Sequence, residues 1–360
     1  MASLPSDDLT GLTALSLLPI NWVGRIVERL RAGDAPATVF EALTRERWPA
    51  EPERARAVSV RAAQALDRAA AGGISPVGWH DPAYPPALAA IADPPPVLWV
   101  RGDVASLTSD PMVAIVGARA ASPYGLAVAG QLAADLAARG LVVVSGLARG
   151  ADSAAHRGTL AAGGITVAVL GSGVDVVYPP EHAPLARDIA ERGAIVSEFA
   201  PGTPPNPAFF PQRNRIISGL ARAVVVIEAG EKSGSLITAR AALEQGRDVL
   251  AVPGNVLTGR NRGAHALLRD GAKIVESADD ILEELGETRP RPVAGCRPGT
   301  AAADPVLAAL TAGEPCDLDA IAEKTGLQSA RLLPRLFELE VRGLVRRAGG
   351  GRFVRIDRPC

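Results

Sequence analysis

The amino-acid sequence predicts an α/β protein whose extended Rossmann-like, doubly wound and mostly parallel sheet is flanked by two smaller domains. From Met112 to Leu285, β-branched apolar runs alternate with segments of helical spacing, as in strands joined by crossover helices. In the residues before this region, apolar residues recur only at helical spacing. In the residues after it, three helical segments are followed by a β-ribbon. A chain of 360 residues is long enough for two or three such domains.

Residues 1–72 are predicted to form a small helical domain of the SAM-like or helix-hairpin-helix kind. Leucine, valine and isoleucine residues recur there at helical spacing. The hairpin signal is poor, because the stretch 19–24 holds one glycine where such hairpins usually have two. We therefore expect this domain to pack against the rest or to act as a spacer, and not to read DNA by itself.

Residues 73–287 are predicted to form the α/β domain. A proline-fixed strap at 80–96 leads into a short edge strand at 97–100, because the residue before a proline favours extended backbone. The remaining strands are predicted at 112–117, 141–146, 165–171, 194–198, 223–228, 248–252 and 272–275. The helices are predicted at 124–139, 152–162, 181–192, 214–221, 235–246, 263–269 and 278–285.

Residues 288–303 are rich in proline, glycine and alanine and are predicted to be a linker, and residues 304–360 a winged helix. Its helices are predicted at 304–312, 317–324 and 328–342, followed by a ribbon at 344–356. The third helix mixes both charges, so that DNA contact and protein contact are about equally indicated. The charged residues of this helix are Arg331, Arg335, Glu338, Glu340 and Arg342.

The composition excludes several functional classes. The net charge of −1 is uninformative, but residues 210–273 carry ten Lys or Arg against five Asp or Glu, as phosphate-backbone binders do. The three cysteines form no CxxC pair and the histidines are scattered, so neither a disulfide framework nor a metal site is expected, and no cofactor. The N-terminus lacks the basic residues with which a signal peptide starts, and no apolar run is long enough to span a membrane. We therefore expect a cytoplasmic protein without membrane contact.

The segment from Phe209 to Arg240 carries the strongest functional signal. It is predicted as an aromatic pair, a basic turn, a short helix, a buried strand, a polar loop and the start of another helix. Ser233, Gly234 and Ser235 would lie at that helix's N-terminus, where free N–H groups and the helix dipole favour phosphate. Ser235 and Thr238 are further expected to donate hydroxyl hydrogen bonds to phosphate.

The basic turn places Arg213, Asn214 and Arg215 directly after an aromatic pair. Phe210 is a candidate stacking platform for an unpaired base, an interaction of about 1–3 kcal/mol, although both phenylalanines could instead belong to the core. Further cations predicted to contact DNA in this region are Lys232, Arg240 and Arg262.

Arg119 follows the first parallel strand, where its forked cation could bind a phosphate through two hydrogen bonds. A structural salt bridge to Asp152 or Glu228 is the alternative. The loop lacks GxGxxG, and the second strand does not end in an acidic residue, so a site for a dinucleotide cofactor is disfavoured.

Loops after other strands carry further candidates. Ser145, Gly146 and Gly150 are predicted to form a second backbone cradle, because glycine permits close approach of a ligand. Asp152 is interpreted as a helix N-cap and His156, one turn later, as a structural hydrogen-bonding residue, since no nucleophile accompanies the pair. The remaining loop residues predicted to contact DNA are Ser122, Arg149 and Gly254.

Seven short motifs resemble those of the DNA-processing protein A family (DprA, also called Smf) over roughly residues 74–285. They are VAIVG at 113–117, SGLARG at 145–150, VLGSG at 169–173, SE at 197–198, QRNRI at 212–216, SGSLITAR at 233–240 and VPG at 252–254. The resemblance implies an extended Rossmann domain that binds single-stranded DNA. It also implies protection of incoming strands in natural transformation, loading of the RecA recombinase, and a homodimer joined through the Rossmann domain.

The resemblance also implies roles for individual residues. The family's Gly-x-Arg arginine matches Arg119. Its basic-aromatic segment matches Phe210, Arg213 and Arg215, and its Gly-Ser loop matches Gly234, Ser235 and Thr238. Gln212 departs from the pattern, because many members carry a cation there.

The leading interpretation is a non-enzymatic single-strand binder and recombinase mediator. One alternative is a nucleotide-processing enzyme that cleaves the N-glycosidic bond of a ribose phosphate, for which Glu228 and Glu231 are the nearby carboxylates. Another is a pure interaction protein that recruits partners through its terminal domains.

Overall fold

The computed structural model describes residues 6–288, 304–310, 315–327, 329–341, 344–348 and 352–355. The chain divides into two compact units, Met1–Pro290 and Arg291–Cys360. Most of the predicted linker, Arg342 and two of the three cysteines, Cys296 and Cys360, lie outside the described residues.

The first unit begins with helices, as the apolar spacing predicts. They are α1 (Ser6–Ser16), α2 (Val23–Arg31), α3 (Pro36–Arg47) and α4 (Pro52–Ala71), with a 3₁₀ turn at Ile20–Trp22. Proline at the first position of α3 and α4 has the φ angle that a helix start needs and no N–H to leave unpaired. Their apolar faces join a core with one face of the sheet, in which Leu12 and Ile26 share a cluster with Trp99 and Ile195.

Nine strands of the described residues form one sheet in the order β1-β2-β6-β5-β4-β3-β7-β8-β9. They are β1 (Ser75–Gly78), β2 (Val97–Gly102), β3 (Met112–Val116), β4 (Val142–Ser145), β5 (Thr166–Val169), β6 (Ala194–Ser197), β7 (Ala223–Val226), β8 (Asp248–Ala251) and β9 (Lys273–Ile274). Strands β3 to β9 pair in parallel, while β1–β2 and β2–β6 are antiparallel. The predicted doubly wound, mostly parallel sheet is confirmed.

The prediction that residues 97–100 form an edge strand is wrong. These residues belong to β2, which pairs with β6 on one side and with β1 on the other. The outer strand β1 contains Pro76, a residue that cannot donate to a sheet ladder and is tolerated at an edge. The β-sheet is therefore one strand wider than the sequence pattern indicates.

The helices of the α/β region lie on both faces of the sheet. They are α5 (Pro86–Ala89), α6 (Pro123–Ala138), α7 (Ala151–Ala161), α8 (Ala183–Arg192), α9 (Phe209–Leu220), α10 (Ser235–Glu244), α11 (Arg262–Arg269) and α12 (Ala278–Glu284). Chain order reverses between β3 and β7, so the loops after these two strands diverge there. Such a switch point opens a crevice at the carboxyl ends of the strands, where α/β proteins bind ligands.

Helix α9 begins at Phe209, five residues before its predicted start at residue 214. Proline is tolerated in the first helical turn, so Pro211 does not interrupt it, and Ile216 and Leu220 bury its apolar face. The predicted basic turn is therefore helical. With 3.6 residues per turn, side chains two positions apart point to nearly opposite sides of the helix axis.

The second unit has the element order of a winged helix, as predicted. Its elements are α13 (Pro305–Ala309), β10 (Pro315–Cys316), α14 (Leu318–Thr325), α15 (Ser329–Val341), β11 (Val345–Ala348) and β12 (Arg352–Arg355). The three strands pair antiparallel in the order β10-β12-β11, over a core that includes Leu336 and Phe353. On α15, Arg335 forms ion pairs with Asp304 at 2.6 Å and with Glu338.

Two kinds of feature are lacking in the described residues. In that part of the chain, no helix combines the length and the apolar character that a membrane crossing requires. The same residues contain no group of three or more His, Cys, Asp or Glu side chains arranged to hold a metal ion.

Helices α6 and α7 pack closely because glycines face each other between them. A Cβ atom on Gly158 of α7 would overlap the carbonyl oxygen of Gly130 of α6, and that oxygen belongs to backbone that cannot turn aside. By contrast, a Cβ atom on Gly24 of α2 would meet nothing within 4 Å. The two helical glycines thus form a matched pair for testing this packing.

The substitution Gly158→Ala should lower the free energy of unfolding of the first unit by about 1–3 kcal/mol, because it forces α6 and α7 apart. Gly24→Ala should raise it by about 0.5–1 kcal/mol through helix propensity alone. Urea unfolding followed by circular dichroism measures both. Equal effects of the two substitutions would contradict the proposed packing.

His156 of α7 is fully buried and bonded to the sheet. Its Nδ1 lies 2.7 Å from Thr166 Oγ1, whose hydroxyl donates to the carbonyl of Val143, so His156 Nδ1–H is the donor. Its Nε2 has no hydrogen-bond partner in the structure. Burial lowers the pKa of His156 to about 3. The histidine is therefore a neutral structural residue, as its interpretation from the sequence supposed.

The His156 imidazole should stay neutral in the folded chain between pH 7 and about pH 5. Because an unfolded histidine titrates near 6.5, the unfolded state binds the extra proton, and stability falls as pH decreases from about 6.5 towards 3. NMR of the imidazole nitrogens measures the protonation state directly, with the partly exposed His265 as an internal comparison. A His156 titration above pH 5 would contradict this assignment.

Candidate nucleic-acid interface

The loops after β3, β4, β5 and β7 surround a cavity of about 750 Å³ at the carboxyl edge of the sheet, which we call the groove. It lies at the switch point between β3 and β7. The predicted site residues that line it are Arg119, Phe210, Arg213, Asn214, Lys232, Ser233, Gly234, Ser235 and Thr238. The structure thus brings together residues from three separate stretches of the sequence.

The N-terminus of α10 opens into the groove. Gly234 is its N-cap residue, and no side chain caps the helix. Ser233 and Ser235 hydroxyl oxygens lie 2.8 Å apart, and Asn214 donates to the Gly234 carbonyl at 3.2 Å, which holds the loop against α9. The amides of the first turn donate within the loop, that of Ser235 to Ser233 Oγ at a long 3.4 Å and those of Leu236 and Ile237 to the Ser233 and Gly234 carbonyls. The positive end of a ten-residue helix dipole, with only this weak side-chain contact in front of it, attracts an anion.

Arg213 lies at the floor of the groove and is buried. Its Nη1 donates to the carbonyl of Gly146 at 2.7 Å, after β4, and to the carbonyl of Val169, at the end of β5. Burial lowers its pKa to about 10, although the nearby Asp152 carboxylate favours the charge. Arg213 therefore joins α9 to two strand ends, and only part of its fork faces the groove.

Asp152 is a buried carboxylate at the same floor, which the sequence interpretation had placed as a helix cap. The N-cap of α7 is Gly150 instead, and Asp152 Oδ2 accepts the amides of Gly146 at 3.1 Å and Ala148 at 3.4 Å. Burial raises its pKa, and Arg213 opposes that rise. Both backbone groups of Gly146 are thus bound inside the protein, so the predicted cradle is occupied by Arg213 and Asp152.

Arg119 and Phe210 form the accessible part of the groove. The exposed guanidinium of Arg119 lies 5.3 Å from the centroid of the Phe210 ring, a cation–π contact. Within the described residues Arg119 makes no ion pair, so the alternative of a salt bridge to Asp152 or Glu228 is not observed. The Phe210 ring is half-buried and leaves a face for another planar group.

Glu228 faces away from the groove towards the N-terminus of α6. Its Oε2 accepts the Ser122 hydroxyl at 2.6 Å and the Ser122 amide at 3.2 Å, and a Cβ atom on Gly125 would press against it. In dinucleotide-binding folds the pyrophosphate occupies the N-terminus of the helix that follows the first strand. Here the protein's own carboxylate fills that position, which gives a physical reason for the missing fingerprint.

Two predicted DNA contacts, Ser122 and Gly254, line a separate cavity of about 870 Å³ beside Glu228. The loop between β3 and α6 lies between this cavity and the groove. The structure therefore divides the predicted site residues between two neighbouring cavities.

Arg215 does not reach the groove, although the sequence placed it beside Arg213. It lies on the opposite side of α9, buried, in ion pairs with Glu198 at 2.6 Å and Asp93 at 3.0 Å. Burial raises the pKa of Glu198, and Arg215 opposes the rise. The helical geometry of α9 is the physical reason that Arg213 and Arg215 face different sides. Arg215 fixes α9 to the strap through Asp93 and to the loop after β6 through Glu198.

The other predicted residues have varied positions. Ser145 is fully buried, and its hydroxyl donates to the Ile115 carbonyl at 2.6 Å inside the sheet, so it cannot meet a ligand.

The three remaining arginines are exposed outside the groove. Arg149 lines a small cavity next to the groove and pairs with Glu181 at 2.5 Å. Arg262 pairs with Glu231 at 3.5 Å. Exposed pairs of this kind are weak and can be exchanged for other anions. Arg240 is exposed on α10.

The groove also contains residues that the sequence analysis did not assign to the site. Tyr178 lines it from the loop after β5, and Ile237 from the first turn of α10. Their position after a strand and at a helix start was a signal for both, but apolar and aromatic side chains at such places are more often buried in a core.

Comparison with known proteins agrees with this architecture. The family model described as DNA recombination-mediator protein A matches residues 75–286, and the model of the DprA winged helix domain matches residues 287–351. Protein Smf of Escherichia coli is 40% identical over 286 residues, which cover 77% of this chain and 76% of that protein.

Two solved structures are also similar. The X-ray structure of DNA processing protein A (DprA) from Streptococcus pneumoniae is 35% identical, with a TM-score of 0.65, and the match covers 79% of this chain and 99% of that one. A Helicobacter pylori DNA processing protein A, whose structure concerns its single-stranded DNA binding mode, is 30% identical, with a TM-score of 0.54 over 59% of this chain and 95% of that one. The chain belongs to the DNA recombination-mediator protein A family.

Proposed function

We propose that the groove binds single-stranded DNA, with phosphates at the N-terminus of α10 and a base against Phe210. The observation that carries this proposal is the presence of an uncapped helix N-terminus, two exposed cations and a half-exposed aromatic ring in one cavity. The cations are Arg119 and Lys232. The Helicobacter pylori relative, described by its single-stranded DNA binding mode, supports the same ligand class.

Single strands are favoured over duplexes because stacking on Phe210 needs a base that is free of its partner. Phosphate contacts give affinity without reading sequence, and stacking on an aromatic ring accepts any base. Little sequence preference is therefore expected, which suits a protein that must coat incoming strands of any sequence.

We further infer a non-enzymatic role in which the cytoplasmic protein protects incoming strands during natural transformation and loads the RecA recombinase. Membership of a recombination-mediator family supports this role. The enzymatic alternative has little support in the groove, because Glu228 faces the neighbouring cavity and Glu231 pairs with Arg262. The Asp152 carboxylate at the groove floor accepts two backbone amides and is held in a structural role. A homodimer through the α/β domain is consistent with the exposed Ile274 on the outer strand β9.

Removing the exposed cations should weaken binding to oligo-dT. Arg119→Ala should reduce affinity about tenfold or more, since a hydrogen bond to a charged group contributes about 1.5–3 kcal/mol. Arg119→Ala with Lys232→Ala should also flatten the dependence of log affinity on log salt by about 1.4, or about 0.7 for each lost phosphate contact. Fluorescence anisotropy at several salt concentrations measures both quantities.

The matched control is Arg45→Ala, which removes another exposed arginine, from α3 and outside the groove. It should leave both the affinity and the salt dependence unchanged. If the Arg119/Lys232 double variant binds oligo-dT as tightly as the control variant does, the assignment of the site to the groove is wrong. Release of free base from nucleoside monophosphates by the wild-type chain would instead favour the enzymatic alternative.

The mediator role predicts faster assembly of the cognate recombinase on single strands coated by single-strand-binding protein. The wild-type chain should shorten the delay before strand exchange, and the Arg119/Lys232 double variant should not, because it cannot hold the strand. Strand exchange followed over time measures the delay. A wild-type chain that binds oligo-dT and leaves the delay unchanged would contradict recombinase loading but not strand binding.

A further inference from the structure

Tyr178 is an exposed aromatic residue beside the groove that the proposed binding mode has not used. It lies in the loop after β5, and 41% of its surface is exposed. It lines both the groove and the small adjoining cavity that contains Arg149. Tyr178 therefore presents an accessible aromatic ring at the rim of a cationic cavity.

The ring of Tyr178 lies next to that of Phe210. Their centroids are 5.6 Å apart, and the ring planes are inclined by 33°. Phe210 is seated on the backbone, because a Cβ atom on Gly171 would lie only 2.9 Å from its ring. The position of the Phe210 ring is thus fixed from below, and Tyr178 extends the aromatic surface towards the loops after β4 and β5.

We propose that Tyr178 is a second stacking platform, which holds the base next to the one that stacks on Phe210. The proposal rests on the proposed binding of single-stranded DNA and adds a residue that determines its specificity. Arg149 lies beside Tyr178 in the adjoining cavity, in an exposed ion pair with Glu181. Because exposed pairs of this kind are weak, Arg149 can exchange Glu181 for the phosphate that follows this second base. The strand then crosses the edge of the sheet from the N-terminus of α10 towards the loops after β4 and β5.

The spacing of the two rings gives a reason for single-strand selectivity. Neighbouring bases of one strand in a duplex are separated by about 3.4 Å along the axis and lie parallel. Bases that stack on rings 5.6 Å apart and inclined by 33° must be separated from each other. Only an unpaired strand with splayed bases can therefore use both platforms at once, and a duplex gains nothing from Tyr178.

The test compares Tyr178→Ala, Tyr178→Leu and Tyr178→Phe with the wild-type chain. The first two should weaken binding to oligo-dT by about fivefold to a hundredfold, because base–aromatic stacking contributes about 1–3 kcal/mol. Tyr178→Phe keeps the ring and should bind within about twofold of wild type. Tyr178→Leu preserves an apolar side chain of similar reach, and thermal unfolding confirms that each variant is folded.

Two further measurements separate stacking from a merely structural role. On a strand of abasic sugars, Tyr178→Leu should bind as well as the wild-type chain, because there is no base to stack. Combined with Phe210→Ala, Tyr178→Leu should weaken oligo-dT binding further. Loss of the same size on the abasic strand, or no further loss in the double variant, would show that Tyr178 only supports Phe210 and would overturn the inference.

The failure of this inference is distinguishable from failure of the proposed function. If the wild-type chain binds oligo-dT and Tyr178→Leu binds it equally well, only the second platform is refuted. If the wild-type chain binds neither oligo-dT nor the abasic strand, the groove is not a single-strand site and both proposals fall.

Discussion

The buried guanidinium of Arg213 is the contact on which the geometry of the groove depends. It links α9 to the ends of β4 and β5 through two backbone carbonyls, beside the buried carboxylate of Asp152. A buried charge is costly unless it is paired and hydrogen-bonded, so these partners are needed for α9 to lie where it does. Gly146 must lack a side chain for the same reason, because a Cβ atom there would overlap the Arg213 fork.

Fixing α9 in this way uses both arginines of its basic segment for structure. Arg215 anchors the far side of the helix to Glu198 and Asp93, so neither arginine of the segment is a freely exposed cation. The accessible charge comes from loops, at Arg119 and Lys232, and from the uncapped N-terminus of α10. α9 contributes the Phe210 ring instead. The helix is thus a support that presents an aromatic face, while the loops provide the positive field.

Much of this could be predicted from the sequence, because local patterns determine it. The buried strands after residue 112 were located to within two residues, since β-branched runs covered on both faces are distinctive. The positions of Gly234 at the start of α10 and of Arg119 after β3, both at the groove, followed from their places after strands. The features that the sequence did not predict depend on the direction of a side chain rather than on its type. They are the side of α9 that Arg215 faces, the burial of Ser145, and the hydrogen bonds of Glu228 to Ser122, the N-cap residue of α6. None of these can be derived from residue identity alone, because each depends on a helix start or on a partner distant in the sequence.

The most direct measurement is the structure of the full chain with a short oligo-dT bound. We expect a phosphate oxygen within hydrogen-bonding distance of the amides at Gly234 and Ser235, with Arg119 on a neighbouring phosphate and a thymine ring stacked on Phe210. A strand bound on the winged-helix unit or in the cavity beside Glu228, with the groove empty, would contradict this expectation.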